Sequence, residues 1–235
     1  MVLVLAAAGS LTVGRYSIPP SELVVFCSAL MSGGQGMDHA RFQELSVLML
    51  DVRLPRIMAA MLIGASLAAS GTAFQAVFMN PLVSPGLLGV LAGASFGAAS
   101  AMVLSDQWWV VQASAFGFGL IAVGLALGIA SVYRADSLLI LVLGGIISTG
   151  FFTSLLSIVK TIADPYNQLP AIVFWLMGRL SNVDSVTVFG LALPQMMGIF
   201  ALITLSKYLN VLSMGDSEAQ ALGINVARIR YAVIL

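Results

Sequence analysis

Charge is what this sequence has least of. Lys and Arg number 10, and Asp and Glu number 10, in 235 residues. That is 9% in all and zero net, where a soluble domain carries about 25%. So sparse and balanced a set offers no electrostatic footprint for nucleic acid. Cysteine and histidine are nearly absent as well. Cys27 and His39 are the single examples of each, which excludes a disulfide within the chain and leaves no Cys/His cage for a metal. No catalytic residue and no cofactor is expected. The phosphate-cradling pattern G-x-x-x-x-G-K-[ST] is missing, and both lysines, Lys160 and Lys207, lie outside glycine-rich loops. If ATP powers this protein, another subunit must bind it.

What fills the chain is apolar: 60% of residues are hydrophobic and the mean hydropathy is +1.03. A water-soluble fold has nowhere to hide that much apolar surface, so the solvent is the lipid bilayer. The fold class that follows is all-α, a polytopic membrane helix bundle. Both ends read as cut. Met1 to Val13 is too short for a hydrocarbon core of about 30 Å, which needs about 20 helical residues. It is expected to be the tail of a helix begun upstream. The apolar run from Tyr231 stops with the chain, so a fragment of a longer permease-like protein is expected.

The chain is organised around one hairpin. Arg53-Leu54-Pro55-Arg56 opens an apolar span to Met79, Asn80-Pro81 stops it, and Ser84-Pro85 starts the return. In the first span Ala60, Gly64, Ala68 and Thr72 recur every fourth position; in the second Gly89, Gly93, Gly97 and Ala101 do so. Small residues at that spacing let a neighbouring helix come close. Gly64, Ala68, Asn80, Pro81, Pro85, Gly86, Gly89 and Gly93 are therefore read as hairpin and packing residues. Five complete crossings are expected, near 57–79, 87–104, 110–133, 138–159 and 186–205. Residues 15–56 read as a long polar loop with a short amphipathic helix after Pro19-Pro20. Arg134-Ala135-Asp136-Ser137 reads as a turn. The island Ile172 to Gly178 is too short to span and is expected to form an interfacial or re-entrant helix. Ser213 to Leu222 suits a short polar helix with Gly223 just past its end, a contact surface for a soluble protein.

Two catalytic-looking patterns have plainer readings. Gly93-Ala94-Ser95-Phe96-Gly97 matches the G-x-S-x-G of serine hydrolases, but it lies inside an apolar helix with no histidine near in sequence. Ser157 and Lys160 mimic a Ser-Lys dyad, whereas Lys160 suits an interface anchor. The predicted spans contain no Asp, Glu, Lys or Arg, which argues against a proton-coupled carrier. An ion-coupled secondary transporter that uses backbone carbonyls remains the alternative. Arg53 and Arg56 read either as interface anchors or as a paired site for carboxylates of a docking protein.

Four segments now combine: RLPR at Arg53 to Arg56, GASLAASGTAFQAVFMNPLVSPGLLGVLAGA from Gly64 to Ala94, FWLMGRLS from Phe174 to Ser181, and LSMGDSEAQALGINV from Leu212 to Val226. In kind, order and spacing they resemble the FecCD-type permeases of ABC importers, which include iron-siderophore, haem and vitamin B12 permeases. The resemblance implies a multi-pass permease domain of the type II importer kind over residues 1–235, in the cytoplasmic (inner) membrane. It also implies a second permease subunit in a homodimer, ATP-binding cassette ATPase subunits inside, and an external substrate-binding protein. By the same resemblance residues 15–56 are an external loop, Arg53 and Arg56 meet acidic residues of the binding protein, and 207–230 is a cytoplasmic coupling-helix segment. Within that segment Gly215, Glu218, Ala219 and Gly223 contact the ATPase. The implied cargo is a metal chelate, iron-siderophore or haem first, with vitamin B12 and oxyanions such as molybdate behind. The positive-inside rule by itself favours the opposite orientation, because the outer loops of this scheme hold Arg15, Arg41, Arg53, Arg56, Lys160 and Arg179.

Overall fold

The computed structural model describes residues 1–14, 16–33, 35–132, 138–181 and 183–234. Arg15 and the expected turn at Arg134 to Ser137 lie outside the described residues. Every regular element among the described residues is helical: α1 (Val2–Thr12), α2 (Pro20–Met31), α3 (His39–Ser46), α4 (Leu54–Phe78), α5 (Val90–Leu104), α6 (Trp108–Val132), α7 (Leu138–Ile162), α8 (Gln168–Leu176), α9 (Ser185–Leu212), α10 (Asp216–Ala221) and α11 (Val226–Ile234). A π-helical stretch (Val47–Arg53) precedes α4, and a 3-10 turn (Pro85–Leu88) precedes α5. The chain divides into two compact units, Met1–Ser66 with Leu180–Gly198 and Leu67–Arg179 with Ile199–Leu235.

In the first unit, the stretch 15–56 read as a loop is mostly helix. From His39 to Phe78, a run that passes into the second unit at Leu67, the chain is helical for 40 residues, about twice the number a membrane crossing needs. Arg53-Leu54-Pro55-Arg56 thus sits inside a helical stretch and not at the start of one. Pro55 explains the π-helical stretch before it: proline donates no amide hydrogen and its ring crowds the carbonyl four residues back, which a wider turn accommodates. Ile18, Phe26, Leu45 and Met49 form the small core of this unit. Arg41 clamps it, donating from Nε to Glu22 at 2.7 Å and from a terminal nitrogen to Glu44 at 2.8 Å. α9 begins at Ser185 because the Asp184 carboxylate accepts the Thr187 amide hydrogen at 2.8 Å as an N-cap, and the Thr187 hydroxyl first, with that amide second, holds the Asp184 pKa below its ordinary value.

In the second unit α5, α6 and α7 pack through backbone-to-backbone approach. A Cβ at Gly93 would collide with the Phe118 carbonyl, one at Gly97 with that of Ser114, and one at Gly145 with that of Leu87. At Gly144 it would lie 2.6 Å from the Ala126 carbonyl. Ser148, fully buried, donates its hydroxyl to the Ala122 carbonyl at 2.8 Å and ties α7 to α6. The largest core gathers Phe74 and Phe78 from the end of α4, Leu88, Val123 and Leu141, and continues through Leu212, Ala219 and Val233.

Among the described residues, four helical segments are long and apolar enough to cross a membrane: His39–Phe78, Trp108–Val132, Leu138–Ile162 and Ser185–Thr204. The fifth expected crossing, 87–104, is shorter than read. α5 has 15 residues, about 22 Å, because Gly89 adopts a left-handed conformation (φ 84°) that separates it from the 3-10 turn. Of the apolar island, Ile172 to Leu176 lie in the 9-residue α8, too short to span, while Met177 and Gly178 fall beyond its end.

Candidate functional site

Arg53 stands at the last residue of the π-helical stretch and Arg56 one turn on, both half-buried. Arg53 donates from one terminal nitrogen to the Leu11 carbonyl and from the other to that of Tyr16, closing the C-terminal end of α1. Arg56 donates from Nη2 to the Ser181 carbonyl at 2.7 Å. All these acceptors are neutral, and among the described ion pairs none involves either arginine. Both guanidiniums, with no carboxylate partner among the described ion pairs, border an apolar groove of about 590 Å³ lined by Leu3, Ala7, Val13 and Ile57 among others. The arrangement suits an anionic partner, although part of each fork is already spent on the protein's own backbone.

The hairpin residues divide by their surroundings. Gly64 and Ala68 lie on an exposed face of α4, and a Cβ at Gly64 would meet nothing within 4 Å. Helix α4 ends at Phe78, with Met79 left-handed (φ 50°) and the Asn80 amide donating back to Gln75 at 3.2 Å. Asn80 then accepts the Leu82 amide on its side-chain oxygen at 2.9 Å, and Pro81 accepts from Gln75 Nε2 at 3.0 Å. Pro85 opens the 3-10 turn, not α5, and Ser84 makes no side-chain cap. A Cβ at Gly86 would lie 3.3 Å from Leu91 Cδ1, and one at Gly89 2.9 Å from the Ser148 hydroxyl.

The second candidate surface is α10 with its flanks. It begins at Asp216, not Ser213, because Gly215 takes φ 128° immediately before it. A side chain at Gly215 would strike the Glu218 carboxylate, which accepts the Ser217 hydroxyl at 2.9 Å and has its pKa lowered chiefly by that bond. The C-terminal end is a Schellman motif: Ile224 donates to the Ala219 carbonyl at 3.0 Å and Gly223, left-handed at φ 76°, to that of Gln220 at 2.9 Å. Ala219 is fully buried in the main core, whereas Ser217, Glu218, Gln220 and Gly223 are exposed. A polar surface is thereby mounted directly on the packing of the membrane helices.

The catalytic-looking patterns dissolve. Ser95 donates to Leu91 at 2.6 Å and Ser157 to Thr153 at 3.0 Å, each a bond within its own helix. No group of three or more His, Cys, Asp or Glu fit to hold a metal occurs among the described residues. Sequence reading missed the Asp164 cluster that starts α8. Its carboxylate accepts from the Asn167 amide and side chain, while Gln168 accepts from the Asp164 amide and donates to Val103 at the end of α5.

A family model described as the FecCD transport family matches residues 2–235. The chain belongs to that family. Among relatives, the molybdate import system permease MolB of Haemophilus influenzae is 35% identical, covering 100% of this chain and 68% of its own length. A Helicobacter pylori iron chelatin transport permease is 33% identical, with 92% and 70% covered. The vitamin B12 import permease BtuC of Yersinia enterocolitica is 33% identical, with 78% and 55% covered. A solved structure showing an inward-facing conformation of a metal-chelate type ABC transporter matches with a TM-score of 0.82 at 34% identity, covering 99% of this chain and 68% of that one. The helical fold is accordingly that of a FecCD-family ABC permease, multi-pass in a membrane. These relatives are transport permeases, not enzymes.

Proposed function

We propose that this chain is the membrane-spanning permease subunit of a binding-protein-dependent ABC importer, acting with a second permease copy and with ATPase subunits that supply the energy. The observation that carries the proposal is the mounting of α10. Its exposed polar side chains offer a soluble partner a docking surface, and its buried Ala219 lies in one core with Phe74, Phe78 and Leu88 of the hairpin. Push on such a helix and the membrane core must respond. Gly215, Glu218, Ala219 and Gly223 are assigned to ATPase coupling on the cytoplasmic side, and Arg53 and Arg56 to docking of the external binding protein, consistent with their lack of a carboxylate among the described ion pairs. The exposed small face of Gly64 and Ala68 suits close approach by a second permease subunit.

The cargo is assigned to the class of metal-bearing small molecules, with iron-siderophore or haem as first candidates. Molybdate rises as their rival, since MolB's name gives a molybdate import system. The test is uptake into inner-membrane vesicles carrying the permease with its ATPase, assayed with ferric siderophore, haem, cobalamin and molybdate in turn. ATP-dependent accumulation of one of them is expected. Uptake driven by an ion gradient without ATP would instead establish a secondary carrier.

A further inference from the structure

Helix α10 has six residues, far below the roughly 12–15 at which a helix stands alone in water. Its direction must therefore be imposed from outside. Ala219 supplies one fastening and the Schellman turn at Ile224 a second, but both act on its C-terminal half. The N-terminal end is held by Arg230 of α11. Arg230 Nη2 lies 3.0 Å from each carboxylate oxygen of Asp216, and the arginine side chain is only 10% exposed against 37% for Asp216. A charge-assisted pair with both carboxylate oxygens on a mostly buried guanidinium is stronger than a neutral hydrogen bond and resists opening. Asp216 also occupies the first turn, where the helix dipole favours an anion.

We infer that Arg230 is a positioning residue for energy coupling: through Asp216 it joins α10 and α11 into one rigid bracket, so that a displacement of α10 is delivered to α11 instead of being absorbed by the link 222–225. The inference rests on the coupling assignment of α10 made above. α11 is itself anchored, since Val226, Val233 and Ile234 belong to the main core. With the pair intact, both ends of α10 are tied to the main core.

The experiment measures substrate moved per ATP hydrolysed in the reconstituted importer carrying Asp216→Asn or Arg230→Gln, and in the double charge swap Asp216→Arg with Arg230→Asp. Each single variant is expected to keep its ATPase through purification while the ratio falls roughly fivefold or more, and the swap to recover part of it. A purely structural role would lower yield without moving this ratio. An unchanged ratio in both single variants would overturn the inference. So would loss of the ATPase from Asp216→Asn, because the carboxylate would then belong to the docking contact itself. Cross-linking from Ser217→Cys in a Cys27→Ser background tests the underlying assignment separately. If no cross-link to the ATPase forms, the coupling role of α10 falls and the inference with it; if one forms and the ratio is unchanged, only the bracket falls.

Discussion

At Gly145 a methyl group would strike the Leu87 carbonyl, and neither backbone can yield without moving a helix. Gly145→Ala is expected to destabilise the protein by about 1–3 kcal/mol, as overpacking does, read as a lower midpoint of thermal unfolding in detergent. Gly117→Ala is its control, because a Cβ there meets nothing within 4 Å and alanine favours helix by about 1 kcal/mol over glycine; an equal loss in both would refute the packing argument. The arginines make a second case at this scale. Arg53→Glu with Arg56→Glu is expected to abolish binding-protein docking and uptake while insertion persists, and binding that survived the double reversal would exclude the docking role. Because Arg53 also closes the end of α1, Arg53→Gln tests stability apart from charge.

Among the elements, α10 depends on a residue that bears no chemistry. Gly223 holds φ 76°, a conformation that costs other residues about 1–2 kcal/mol. Gly223→Ala is therefore expected to loosen the Schellman turn and speed hydrogen exchange at the Ile224 amide, while exchange in α6 stays unchanged. A polar run followed by glycine made the end of this helix legible in the sequence. Its start was not, because Gly215 acts through a backbone angle and a contact with Glu218. The same contrast holds for α4. Its apolar span was readable from hydropathy, but helical continuity back to His39 was not, since Asp51, Arg53 and Pro55 look like a break unless one sees the π-helical stretch that accommodates Pro55. α5 was read too long for a related reason: Leu87 and Leu88 are apolar, yet the left-handed Gly89 keeps them out of the helix.

For the whole molecule the open variable is orientation, and Cys27 is a native reporter of it. It is exposed on α2 and is the only cysteine in the chain. If residues 15–56 lie outside, a membrane-impermeant maleimide is expected to label intact cells expressing the protein at Cys27, and labelling only after permeabilisation would reverse the scheme. Sequence by itself determined the solvent, the helical class and the family, because hydropathy and motif order are properties of contiguous residues. Only the tertiary structure decided which small residues are packing contacts and which cations are engaged. Asp216 and Arg230 are 14 positions apart, Ala122 and Ser148 are 26, and Leu11 and Arg53 are 42. No local pattern encodes such pairs; they exist because the chain returns on itself, and burial then makes each unpaired polar group too costly to leave alone.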